Sequence, residues 1–163
     1  MILILTGPPA AGKSTLGPMI AKQLERCAVI DVDWVRAMLV QPHIAAWWGE
    51  AGMAQLRLGA KNACTLAHNF VAEGYNVVIL DVLTDETAAI YHAQLAPLAH
   101  QIVLLLPSLA ASLHRNQTRG QWLTDDEVRL LYAWEEALNV YDQKIDNTHQ
   151  PTDELATALA DNF

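Results

Sequence analysis

Met1-Ile2-Leu3-Ile4-Leu5-Thr6 runs directly into Gly7-Pro8-Pro9-Ala10-Ala11-Gly12-Lys13-Ser14-Thr15. The first six residues read as a short apolar strand. From Gly7 to Ser14 the chain fits G-x-x-x-x-G-K-[ST], a phosphate-binding loop, set between that strand and a following helix as the motif requires. The spacing has a physical reason. Glycines let the backbone turn tightly, so that consecutive N–H groups face inward and make a nest for phosphate oxygens. The next helix adds the positive end of its dipole. Gly7, Pro8, Pro9, Ala10, Ala11, Gly12 and Thr15 thus build the cradle. Lys13 can reach β- and γ-phosphates, and the Ser14 hydroxyl can ligate Mg²⁺.

Working outward, strands and helices alternate. The first helix is expected from about 13 to about 26, with Gly17-Pro18 an awkward pair inside it, because Pro18 cannot donate to the carbonyl one turn back. Cys27 to Asp31 is a second strand ending in a carboxylate, followed by Asp33, Trp34 and Arg36 at the start of a helix. A long helix is expected from about 53 to about 73, its apolar residues Leu56, Ala60, Ala63, Leu66, Ala67, Phe70 and Val71 recurring at three and four. Val77-Val78-Ile79-Leu80-Asp81 is a third strand of the continuously apolar kind found inside parallel sheets. Thr84 and Ser108 cap helices on either side of a fourth strand, Ile102 to Leu106. Thr124 with Glu127 makes a capping box. A short strand near Lys144 and a helix from about 152 to about 160 complete the chain. This pattern predicts an α/β fold of one domain, 1–163, with a parallel sheet covered on both faces. Ligands of such sheets lie at the carboxyl ends of the strands, where Gly7 to Ser14, Asp33, Asp81 and the segment after Leu106 all fall.

Composition narrows the function. The net charge is −8, which argues against a nucleic-acid phosphate binder but leaves room for a small anion held by a local cluster around Lys13. Hydrophobic residues make up 52% of the chain, yet no run approaches a membrane span and no signal peptide is evident, so a cytoplasmic protein is expected. Cys27 and Cys64 read as reduced, buried thiols. The histidines show no metal-ligand spacing.

Asp33, Asp81 and the arginines carry the remaining chemistry. A carboxylate at Asp33 can position an alcohol and take its proton; the same residue is also a favoured helix N-cap. Asp31, two residues earlier, can be the base instead, or stand behind the metal. Asp81 closes an apolar strand, where it can hold Mg²⁺ through water or bind the acceptor; an ordinary strand-end turn is the alternative. Arg115 and Arg119 lie one helical turn apart and can face the same way, toward phosphate oxygens. Arg36 and Arg57 can reach the cleft or lie on the surface. His43, Trp34, Trp47 and Trp48 can line a pocket, but in so apolar a chain they are expected to belong to the core.

Taken together, the loop at Gly7 to Thr15, the carboxylate after the second strand, the third strand ending in Asp81 and Arg115-x-x-x-Arg119 resemble the P-loop kinases of small molecules and nucleotides. Val32-Asp33-Trp34 is similar to chloramphenicol phosphotransferase and the zeta toxins. Asp81-Val82-Leu83-Thr84 departs from the Gly-x-Pro-Arg that nucleotide kinases place there. The resemblance covers essentially the whole chain. It implies a three-layer P-loop fold with a five-stranded parallel sheet of order 2-3-1-4-5, an acceptor-binding segment at about 33–57 and a short lid at about 115–124. It also implies ATP and Mg²⁺ as cofactors, with Arg115 near the adenine or, together with Arg119, near the transferring phosphoryl. Lys13, Asp33, Arg115 and Arg119 are then catalytic. Asp33, Arg36, Arg57 and Asp81 bind the acceptor, and Ser14 and Asp81 serve the metal. The expected partner is a small molecule carrying a hydroxyl group, with no nucleic acid or membrane, and the protein a monomer or homodimer. The alternative is a nucleotide-binding ATPase or switch that acts through a partner protein.

Overall fold

The computed structural model describes residues 1–120 and 123–163. In chain order the elements are β1 (Ile2–Thr6), α1 (Lys13–Ala21), β2 (Cys27–Asp31), α2 (Val32–Ala37), α3 (Gly49–Ala72), β3 (Asn76–Leu80) and α4 (Asp85–Leu95). They continue with β4 (His100–Leu105), α5 (Leu109–Thr118), α6 (Asp125–Glu136), β5 (Gln143–Ile145) and α7 (Thr152–Ala160).

All five strands pair in parallel, in the order β2-β3-β1-β4-β5. This is the topology implied by the resemblance to P-loop kinases. β1 lies at the centre and is fully buried, so its side chains are apolar from Ile2 to Leu5, as a strand covered on both faces requires, with the polar Thr6 at its carboxyl end. Alternate residues feed two cores. Ile2, Ile4, Val77 and Ile79 face α2, α3 and α4, whereas Leu3, Leu5, Val78 and Leu80 face α1 and α7.

The helices start where their caps place them. Thr84 and Thr124 each form a capping box, with Thr87 and Glu127 respectively, and Ser108 accepts from the Ala111 N–H. Caps of this kind are worth about 1 kcal/mol each.

Several sequence-based bounds shift. α1 ends at Ala21 rather than near residue 26, and it carries Pro18 without a break. The reason for Gly17-Pro18 is close packing: a Cβ on Gly17 would stand 2.6 Å from Leu80 Cδ2, so the glycine lets α1 press onto β3. α3 begins earlier than expected, at Gly49. Cys64 is buried as expected, but Cys27 is only half-buried. The aromatic segment is the clearest correction. Trp34 is 75% exposed and Trp48 68% exposed, and His43 is also exposed, so they do not belong to the core. Among the described residues, no helix is long and apolar enough to cross a membrane.

Candidate active site

The phosphate loop bridges β1 and α1. Gly7 has φ 152°, and a Cβ there would fall 2.3 Å from the Leu105 carbonyl oxygen, so only glycine lets the chain pass this close to β4. The Ala11 N–H donates to the Pro8 carbonyl at 3.1 Å, closing the turn. Ala10 adopts φ 61°, a left-handed conformation that costs a residue with a Cβ about 1–2 kcal/mol. Strain of this kind persists where the surroundings over-determine it, and it gathers at ligand clamps. Gly12 precedes α1 with no side-chain cap, which leaves the first amides of the helix available to an anion. The Lys13 ammonium folds back over the loop and donates to the carbonyls of Gly7 and, at 3.3 Å, Pro8. Ser14 and Thr15 stand exposed on the first turn.

A side chain that the sequence did not single out braces this loop from behind. Asn147, buried just after β5, donates from Nδ2 to the Ala11 carbonyl at 2.8 Å. Its own carbonyl and that of Thr148 accept from Arg115 Nη2, both at 3.0 Å. Arg119 points to the same place, with Nη2 3.5 Å from Thr15 Oγ1. A cleft of about 160 Å³ opens here, lined by Ala10, Gly12, Thr15, Arg115, Arg119 and Asn147 among others. Both arginines therefore flank the loop, on the side away from β2. Arg115 is anchored to backbone carbonyls, whereas Arg119 reaches across the cleft. Of the lid segment at 115–124, Gln121 and Trp122 lie outside the described residues.

The carboxylates occupy the other side. Asp31 is the N-cap of α2, its Oδ1 accepting from the Asp33 N–H at 3.1 Å. The capping role weighed for Asp33 thus falls to Asp31, and Asp33 is left with its side chain 80% exposed, 3.5 Å from Arg36 Nη1. Burial, and then the charge of Asp33, pushes the Asp31 carboxyl up, with Lys13 among the opposing influences. Asp81 is buried at the end of β3. Tyr91 Oη donates to its Oδ2 at 2.8 Å, and the Val82 N–H donates to its Oδ1 at 2.8 Å. Desolvation pushes its carboxyl up to about 7, against those two hydrogen bonds; the Asp33 charge adds to the rise and Arg36 opposes it. Asp31, Asp33, Asp81, Arg36 and Lys13 thus act on one another electrostatically, as groups gathered at one end of the sheet.

Arg57 stands apart from that group. It is paired with Glu50 on α3 and with Glu86 on α4, the latter at 3.3 Å, so its donors already face carboxylates. Arg36 lies mostly buried, with Nη2 3.5 Å from the Ile44 carbonyl and Nε without a partner.

Chemically, the arrangement offers a nest for phosphate oxygens, a cation inside it, a second cation across the cleft, and carboxylates on the far side. As to a metal, the Ser14 hydroxyl and the Asp81 carboxylate are hard oxygen donors of the kind Mg²⁺ takes. Among the described residues, no three His, Cys, Asp or Glu side chains gather into a metal site.

A family model for chloramphenicol phosphotransferase-like proteins matches residues 1–163. The chain belongs to this family. The chloramphenicol phosphotransferase-like chain also shares its fold with P-loop kinases of known structure. The tunicamycin resistance protein of Deinococcus radiodurans superposes with a TM-score of 0.72 at 15% identity, covering 99% of this chain and 94% of that one. Shikimate kinase from Acinetobacter baumannii in complex with shikimate gives 0.67 at 19% identity, covering 97% and 89%. A gluconokinase from Sinorhizobium meliloti 1021 gives 0.65 at 19%, covering 98% and 93%. At these identities the likeness is one of fold. No curated protein matches the chain.

Proposed function

We propose that this chloramphenicol phosphotransferase-like protein is a kinase that moves the γ-phosphate of ATP, with Mg²⁺, to a hydroxyl group of a small molecule. The observation that carries the reading is the phosphate loop flanked by opposite chemistries. Lys13 and the first amides of α1 stand in its mouth, Arg119 reaches Thr15 on one side, and the Asp33–Asp81 group lies at the same end of the sheet on the other.

Each residue then has a part. The loop amides not bonded within the turn, Lys13 and Ser14 at the start of α1 among them, hold the phosphate oxygens, and the Lys13 ammonium neutralises charge on the β- and γ-phosphates. Arg115 stiffens the wall of the cleft beside the nucleotide through its hold on residues 147 and 148. Arg119 places a planar donor group beside the transferring phosphoryl, where charge spreads over the equatorial oxygens. Mg²⁺, held by Ser14 and by Asp81 through water, would supply charge neutralisation on the phosphates. Asp33, exposed and no longer needed as a cap, accepts the acceptor's hydroxyl proton. The segment at 33–57 receives the acceptor, and that at 115–124 closes over the nucleotide. Arg36 fits the acceptor side better than Arg57, whose donors already meet two carboxylates.

The test is ATP turnover by the purified chain, with and without a panel of alcohols: sugars, hydroxylated antibiotics, nucleosides and UDP-amino sugars. Acceptor-dependent ADP release with phosphate on the acceptor is expected. Fast turnover unaffected by every acceptor would instead favour a nucleotide switch working through a protein partner.

A further inference from the structure

Glu135 takes no part in the reading above, yet it is completely buried near the end of α6. Its Oε1 accepts from Thr6 Oγ1 at 2.6 Å and from the Leu83 N–H at 3.0 Å. The Leu83 N–H is shared with Thr6 Oγ1 at 3.1 Å. Thr6 is the last residue of β1, immediately before Gly7. Leu83 lies two residues beyond Asp81. α6 is the helix that leads back from the lid segment. One carboxylate therefore joins the entrance of the phosphate loop, the exit of the strand carrying Asp81, and the return arm of the lid.

Among the described residues, its second oxygen, Oε2, is enclosed and has no hydrogen-bond partner. An acceptor left without a donor in the interior is costly, more so when charged. Burial pushes the Glu135 carboxyl up, and the first influence opposing that rise is the charge of Lys13. A structural tether needs only Oε1. A carboxyl that fixes Thr6 also fixes Gly7, whose carbonyl accepts from the Lys13 ammonium, so it bears on where that cation can rest.

We infer that Glu135 is a positioning residue, acting through Lys13 and Thr6 to fix the phosphate loop in register with the lid's return helix. The inference rests on the kinase reading, because it assigns Lys13 to a nucleotide.

Two measurements test it. Hydrogen exchange on the nucleotide-free chain compares Glu135→Gln, and the milder Thr6→Val, with the unsubstituted protein. Faster exchange at the Leu83 amide and across residues 7–15 is expected, with the far ends of the strands unchanged. Calorimetry then gives Mg-ATP affinity for the unsubstituted chain, Glu135→Gln, Lys13→Met and the double variant. Glu135→Gln is expected to weaken binding about tenfold alone, but less than about twofold when Lys13 is already Met, the signature of one residue acting through another. Equal losses in both backgrounds would overturn the inference, since the carboxylate would then support the fold without aiming Lys13. So would exchange and affinity that match the unsubstituted chain. An unsubstituted chain that binds no Mg-ATP would remove the kinase reading and this role together, and is told apart because it is read before any substitution.

Discussion

The two sides of the phosphate loop are built differently. Toward β4 and α7, the cleft is framed by backbone and buried amide groups: Gly7 against the Leu105 carbonyl, Asn147 on the Ala11 carbonyl, and Arg115 on the carbonyls of residues 147 and 148. Toward β2 and α2, the surface is open: Asp33 and Trp34 are exposed, and so are Met38, Val40 and Trp48. A site that must hold the same triphosphate every time can be preformed, with little left to order on binding. A site that receives a variable acceptor is better made of side chains on a short helix and a loop, where exchange disturbs the core least. On the kinase reading proposed above, the comparison teaches that grip and choice of acceptor are separable in this chain.

Substitutions can break that separation. The largest effect is expected from Lys13→Met, which removes the cation from the braced side. Phosphoryl transfer should fall on the order of 10³-fold, the scale seen when a transition-state charge partner is lost. A thermal midpoint close to that of the unsubstituted chain would locate the loss in chemistry rather than folding.

Asp81 comes next and sharpens the comparison through pH. Its folded carboxyl sits at about 7 against an ordinary 3.8. The folded state therefore binds the proton more tightly than the unfolded one. The sign is that stability falls as pH rises between about 4 and about 7, then levels off above the folded value. Asp81→Asn removes the ionisation and keeps a partner for Tyr91. In nucleotide-free protein at pH 8 it should stabilise by about 4 kcal/mol at most, at about 1.4 kcal/mol per unit. Chemical denaturation at pH 5 and pH 8 checks this; an Asn variant with the same pH slope as the parent would refute it.

Asp33→Ala probes the open side alone. Transfer should drop on the order of 10²-fold, the scale of a lost general base, while Mg-ATP affinity by calorimetry stays within about twofold, since no nucleotide contact is assigned to Asp33. Loss of nucleotide binding in that variant would join the two sides again. The smallest effect is expected for Trp34→Ala. The indole is 75% exposed, so stability should move by less than about 0.5 kcal/mol. The readout that matters is a raised KM for the acceptor with kcat unchanged.

What was legible in the sequence were contiguous signals. The loop, the apolar strands and the caps at Thr84, Ser108 and Thr124 each lie within a few residues, so local rules decide them. Asn147 and Glu135 escaped because their partners lie 136 and 129 residues away. Glu135 did leave a trace: it follows Val128 and Leu131 on the buried stripe of α6, and a carboxylate on an apolar stripe signals a hidden partner. Trp34 and Trp48 were misplaced because bulk hydrophobicity argues for the core, whereas an exposed aromatic is as informative as a buried acid. The glycines inside α1 and α3, Gly17 and Gly52, answer to close packing against Leu80 and the 45–46 backbone, which local propensity does not reveal.

The bond from Asn147 to Ala11 has a consequence for synthesis. The loop leaves the ribosome well before the amide that braces it, 136 residues further on, and α7, which packs against α1 through Leu155 and Leu159, follows that amide. A nascent chain thus holds its phosphate-loop turn unbraced until residue 147 has emerged, and a fragment ending before β5 would carry the complete signature motif without the backing that shapes it.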